Sequence, residues 1–300
     1  MRVRASPTLT SAILARRRPA RDRLRVTRTA EPRLKILLVS DLHYALKQFD
    51  WVVANAPSFD VVVLAGDHVD IAGQLSGSVQ VTVILKYLRR LAPLTRVVVS
   101  SGNHDLDTRD GAGEKVAAWM NRVRQLGIAA DGDTIEANGA LITICPWWDG
   151  PVVREAVSAL LQRDAAKRAG KQWIWVYHAP PADSPTSWTG REHFGDADLS
   201  AWIETHAPDL VLTGHIHEAP FKRDGSWADR IGASWVFNSG RQIGPTPTHI
   251  AIDTQVREAA WFSLAGAELA RLDLPLTRPL QSLEIAPAWL SSPALGPSLA

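Results

Sequence analysis

Residues 34–43 read Leu34-Lys35-Ile36-Leu37-Leu38-Val39-Ser40-Asp41-Leu42-His43. The run to residue 40 is apolar on both faces of an extended chain, the pattern of a central strand in a covered sheet. The last three residues change character at once. Asp41 and His43 are two apart, so in extended backbone their side chains project to the same side. A carboxylate and an imidazole pointing together off a sheet edge make half of a metal site. Taken singly, Asp-x-His is more often a turn aspartate beside a surface histidine. What reverses the odds is recurrence.

Four more apolar runs end the same way. Residues 61–65 lead into Gly66-Asp67-His68, and 96–100 pass through Ser101 into Gly102-Asn103-His104-Asp105. Residues 172–177 lead into His178, and 209–213 into Gly214-His215-Ile216-His217. Further strands are predicted at 141–145 and 234–238, with helices over 46–55, 78–92, 113–126, 152–169 and 197–206. Strands alternating with helical periods imply βαβ units on a largely parallel sheet with helices on both faces. The carboxyl ends of parallel strands share one edge, and ligands bind in the crevice there. The five polar groups should therefore meet. The glycines before them allow sharp turns and close approach of backbone to a phosphate. After residue 220 helices become scarce, and 227–231, 249–253 and 258–263 suggest a second, antiparallel sheet.

The totals set bounds. A chain of 300 residues, 46% hydrophobic, can bury a sizeable core. The net charge is +2, but residues 1–33 hold ten Arg against Asp22 and Glu31, leaving −6 on the rest. The pI near 8.8 thus describes the leading segment, and a nucleic-acid partner is not expected. That segment, 1–33, is expected to be a disordered basic extension. Residues 34–274 are read as the folded domain and 275–300 as an irregular, loosely packed tail. Cys145 is a lone thiol in an apolar strand, which excludes an internal disulfide, suits a reducing compartment and fits a cytoplasmic location. No apolar run approaches the roughly 20 residues of a membrane span. The twelve Trp are spaced mostly as core positions.

Asp41, His43, Asp67, Asn103, His178, His215 and His217 make seven candidate ligands. One four-coordinate ion needs only three or four. Seven, with one carboxylate shared, suit two ions about 3.5–4 Å apart. Carboxylate, amide and imidazole donors without thiolate favour Mn, Fe, Zn or Co.

The ordered set Asp-x-His, Gly-Asp, Gly-Asn-His-Asp, His, Gly-His-x-His resembles the calcineurin-like metallophosphoesterase family over roughly residues 34–253. The resemblance implies a four-layer α/β/β/α sandwich of two mixed sheets flanked by helices. It implies that Asp41, His43, Asp67 and His217 hold one ion, while Asp67, Asn103, His178 and His215 hold the other. Asp67 would bridge. The activity implied is hydrolysis of phosphate mono- or diesters by a metal-bridging hydroxide, since paired cations lower the pKa of a shared water. His104 resembles the family's catalytic histidine, and Asp105 is positioned in sequence to accept from its other ring nitrogen. His68 should point away from Asp67. Arg241, in Asn238-Ser239-Gly240-Arg241, is more simply an exposed turn residue. The expected partner is a small phosphoester, with nucleotides among the candidates. A metal-dependent nuclease and a non-catalytic scaffold on the same fold are the alternatives. Trp147 and Trp148, after strand 141–145, are expected either to border the cleft or to pack against helix 152–169.

Overall fold

In the computed structural model, which describes residues 33–290, Leu37 and Val39 point to one face of their strand while Ile36 and Leu38 point to the other, and all four are fully buried. That alternation, repeated on neighbouring strands, builds four layers. The expected extension of residues 1–33 lies outside the described residues apart from its last residue, as do residues 291–300.

The first sheet has eight strands in the order Gln281–Ser282, Gly266–Arg271, Glu258–Ser263, His249–Asp253, Lys35–Val39, Val61–Ala65, Arg96–Ser100, Ala129–Ala130. The second has six, in the order Ala228–Ile231, Ser234–Asn238, Leu210–Thr213, Gln172–Val176, Ala140–Ile144, Thr134–Ala137. Both are mixed. Lys35–Val39, Val61–Ala65, Arg96–Ser100 and Ala129–Ala130 run parallel, as do Ala140–Ile144, Gln172–Val176, Leu210–Thr213 and Ser234–Asn238; antiparallel strands complete each sheet. The sheets face each other through Ile36, Leu38, Val61 and Val63 on one side and Ile142, Ile174, Val176 and Leu212 on the other. The outer face of the first sheet packs on helices Leu46–Asn55 and Gly77–Leu91 through Phe49, Val52, Ile84 and Leu88. The outer face of the second, with Trp173, Trp175 and Val211, packs on Pro151–Ala165 and Ala197–His206 through Leu161, Leu199 and Ile203. Burying each such side chain stabilises by about 1.5–3 kcal/mol. No helix among the described residues is long and apolar enough to cross a membrane.

The arrangement corrects one expectation of the βαβ reading. The polar strand ends do not lie on a single parallel sheet. Those after residues 39, 65 and 100 belong to the first sheet, and those after 176 and 213 to the second. The chain changes sheets between Ala130 and Thr134, just before a hairpin whose turn is Asn138-Gly139, with φ of 43° and 77°. A second correction concerns 113–126. Only Met120–Arg124 is helical, and Lys115–Val116 pairs with Thr108–Arg109 instead. Asp110 closes that turn by accepting from the backbone of Ala112 and Glu114. Glu114 then serves as a remote cap, accepting from Val152 N and Val153 N at the start of Pro151–Ala165. The stretch after 275, read as loosely packed, closes onto the first sheet. Leu290 is buried and Trp289 Nε1 donates to Glu258.

Candidate metal centre

The strand ends meet across the two sheets. Backbone bonds fasten the loops: Asp41 N–H donates to Gly66 C=O (3.1 Å), His43 N–H to Asp67 C=O (2.9 Å), and Gly214 N–H to His178 C=O (2.8 Å). Asp41, His43, Asp67 and His215 all take positive φ, between 39° and 69°. Left-handed backbone at four non-glycine residues in one place is strain of the kind that gathers at functional sites. It turns each side chain inward at the point where the strand stops.

Among the described residues, three sets of donor atoms each lie within 4.8 Å of one another: Asp41, His43 and His217; Asp67, His178 and His215; and His43, Asp67 and His104. His43 Nε2 is 3.1 Å from His217 Nε2, and His217 Nε2 is 3.1 Å from Asp41 Oδ1. His178 Nε2 is 3.3 Å from Asp67 Oδ2 and 3.8 Å from Asp41 Oδ1. His178 Nδ1 donates to Ala65 C=O at 2.7 Å, which leaves Nε2 with its lone pair facing the carboxylates. His178 Nε2 and Asn103 Oδ1 are buried with no hydrogen-bond partner. Acceptors turned on acceptors in a buried site need a cation between them. The residues present therefore fit divalent ions; the first donor set holds three of the four residues that the resemblance grouped as Asp41, His43, Asp67 and His217, and the second holds three of Asp67, Asn103, His178 and His215.

The charges agree. Burial would raise the carboxyl pKa values, but the charge of His178 outweighs it, holding Asp67 at about 2 and Asp41 well below the usual range. Burial would lower His178, yet Asp67 and Asp41 carry it up to about 9. Burial and the neighbouring His178 push His215 down to about 4. Without a metal, a proton on His178 supplies the positive charge that the two carboxylates require.

Close packing explains the glycines more directly than phosphate approach does. A Cβ on Gly102 would stand 2.2 Å from Asp67 Oδ1, and one on Gly214 would stand 2.4 Å from Asp41 Oδ2. The space beside the Asp67 and Asp41 carboxylates is kept open by the missing side chain.

His104 sits at the edge of the cluster. Its backbone N–H donates to Asp67 Oδ1 (2.9 Å), its Nε2 is 3.8 Å from Asp67 Oδ2, and its side chain is 22% exposed. Asp105 does not meet the expectation of an orienting partner for His104. It accepts from His68 Nδ1 (2.9 Å), from His68 N and Val69 N, and from Gly102 N. The tight turn Asn103–Asp105 sends the two neighbours in opposite directions. His68 does point away from Asp67, onto Asp105 and Trp119.

Sequence reasoning passed over several positioning residues. Ser40 Oγ donates to Asp41 and bonds Ser239 Oγ. Asn238 Nδ2 donates to Ile216 C=O (3.0 Å), fixing the loop that carries His215 and His217. Asp131 accepts from Ser101 N (2.8 Å), and burial raises its carboxyl to about 6. The polar run Asn238-Ser239-Gly240 after an apolar strand was the available signal for two of these. Arg241 enters through its backbone, donating to His217 C=O. The tryptophans divide. The Trp147 ring lies 5.2 Å from His215 and 5.7 Å from His178, whereas Trp148 stacks on Tyr177 at 4.2 Å and meets Trp202. Phe194, 61% exposed, reaches His215 from another side, 5.9 Å between rings.

Comparison with known proteins agrees with this geometry. Residues 34–219 match the family model described as calcineurin-like phosphoesterase. No curated protein matches the chain. Among solved structures, TT1561 of Thermus thermophilus is similar at a TM-score of 0.51 and 17% identity, over 80% of this chain and 99% of that one. A purple acid phosphatase, PPD1, from yellow lupin (Lupinus luteus) gives 0.49 and 11%, over 83% of this chain and 53% of that one. A dimetal phosphatase from Danio rerio gives 0.49 and 8%, over 77% and 95%. The likeness to the first structure is one of fold. The family match spans well over half of the sequence and includes all seven candidate ligands, and the chain belongs to the calcineurin-like phosphoesterase family.

Proposed function

We propose that this protein hydrolyses a small phosphoester at a centre of two divalent ions. Asp41, His43, Asp67 and His217 would hold one ion, and Asp67, Asn103, His178 and His215 the other. The observation that carries the reading is the convergence of imidazole nitrogens and carboxylate oxygens on one spot, with His43 Nε2 3.1 Å from His217 Nε2, itself 3.1 Å from Asp41 Oδ1, and His178 Nε2 3.3 Å from Asp67 Oδ2. Bound ions would supply Lewis acidity to the phosphate and lower the pKa of a coordinated water.

The protein's own groups do the rest. Asp67 faces both ligand groups. Ser40 and the backbone of His215 and His104 fix the carboxylates of Asp41 and Asp67. His178 is held by Ala65 C=O in the tautomer that presents Nε2. In the reaction a water oxygen forms the new bond to phosphorus and its proton passes to solvent. The ester P–O bond breaks with its electron pair going to the leaving oxygen, which takes a proton from His104. His104 suits that role because it borders Asp67 while remaining open to a ligand.

Purified protein freed of metal by chelation should show no turnover on aryl phosphate mono- and diesters, and adding Mn, Co, Zn or Fe should restore it. Turnover that survives complete metal removal would overturn the proposal.

A further inference from the structure

A cavity of about 700 Å³ opens beside His104, within the roughly 300–1,000 Å³ that small-molecule sites occupy. Val69, Ile71, Leu75, Val81 and Leu106 line it together with His104, and none of the seven candidate ligands does. Val69 and Val81 are buried at its floor, while Ile71 and Leu75 stand 68% and 49% exposed. Large aliphatic side chains left in water around a concavity mark a place where an apolar group is received.

The walls also carry Asp70, Asp107 and Arg122. Asp70 and Asp107 each accept one backbone N–H, from Ala72 and Ala118, at a partly exposed surface. Two carboxylates against one guanidinium disfavour a second phosphate or carboxylate in this space. The buried Asp105 is fully engaged with His68, Val69 and Gly102.

We infer that this cavity is the leaving-group subsite and that it selects alcohols with an uncharged, apolar body. The inference rests on the proposed role of His104. A group that protonates the leaving oxygen must come within about 3 Å of it. The leaving oxygen therefore lies at His104, and the remainder of the alcohol extends from there. The cavity is lined by His104 and by none of the seven candidate ligands, so it is the space we assign to the alcohol. Three carbons buried against Ile71, Leu75 and Val81 strengthen binding by about tenfold or more.

The test compares phenyl, para-propylphenyl and para-(carboxyethyl)phenyl phosphate on the metal-loaded protein. Their leaving phenols have closely similar basicity, so the demand for protonation is constant across the series. The para-propylphenyl ester should exceed phenyl in kcat/KM by about tenfold, with the carboxyethyl ester the poorest of the three. Ile71→Asp and, separately, Leu75→Asp should abolish the propyl advantage, while Ile285→Asp, at an exposed site far along the chain, should keep it. Independently of turnover, para-propylphenol added to metal-free protein should shift the methyl NMR signals of Ile71 and Leu75. Equal kcat/KM for phenyl and para-propylphenyl esters, or a preference for the carboxyethyl ester, would overturn the subsite alone. Absence of turnover on all three esters would overturn the hydrolytic reading on which it rests.

Discussion

Asp105 follows His104 directly in sequence, yet its carboxylate lies on His68 Nδ1 at 2.9 Å while His104 Nδ1 is buried without a hydrogen-bond partner. The pair is split by a single tight turn. His104 faces the ligand cluster, and Asp105 ties the Gly102 loop to the His68 loop. Two adjacent residues thus have separable consequences when altered.

His104→Gln should keep the metal content and lose roughly 10²–10⁴-fold in kcat, as for removal of a general acid. The loss should shrink for esters of strongly acidic phenols, which leave without protonation. Steady-state rates across a leaving-group series read this out. A uniform loss would instead indicate positioning of the phosphate. Asp105→Asn should act on folding: with a buried multi-bonded carboxylate weakened, the melting temperature should fall by several degrees.

Trp147→Ala should raise KM for a nucleotide diester more than for a small aryl phosphate, because its ring lies beside His178 and His215. Trp148→Ala should leave that ratio alone and cost roughly 2–4 kcal/mol in denaturant unfolding, because its ring stacks on Tyr177 and packs on Trp202. Parallel losses of stability with no change of KM in both variants would place Trp147 in the core as well.

These two tryptophans illustrate what was legible in the sequence. Strand periodicity located 141–145 and the residues that follow it, but not the direction in which each indole turns. The convergence of the polar strand ends could be read because each follows an apolar run directly, a strong local signal. The two-sheet division was harder to read. It turns on the hairpin Thr134–Ala137 to Ala140–Ile144, whose Asn138-Gly139 turn carried a recognised hairpin signature. Alternation of strands and helices elsewhere masked it. The segment 113–126 failed for the opposite reason. Its apolar spacing looks helical, but Asp110, Gly111 and Gly113 set up a turn, and Glu114 is used by a distant helix. Ser40, Asn238 and Asp131 act through contacts with residues far away in sequence, and no pattern along one strand encodes that.

His249 gives a pH dependence separate from the metal centre. It is buried between Trp51 and Phe262, and burial lowers its pKa from 6.5 to about 4. The unfolded chain therefore binds a proton between these values that the folded chain does not. Stability is full above about pH 6.5 and falls as pH drops toward about 4, by roughly 3 kcal/mol from this residue. Urea unfolding at several pH values should show a shallower acid slope in His249→Phe than in the parent protein. Identical slopes would remove His249 as a source of acid lability.

Asp67 stands in one donor group with His178 and His215 and in another with His43 and His104. The direct measurement is metal content per chain, by elemental analysis after loading and gel filtration, for the parent protein and for Asp67→Asn. The parent should carry about two divalent ions and the variant fewer than one. Two tightly held ions in Asp67→Asn, or none in the parent, would contradict a dinuclear centre bridged by Asp67.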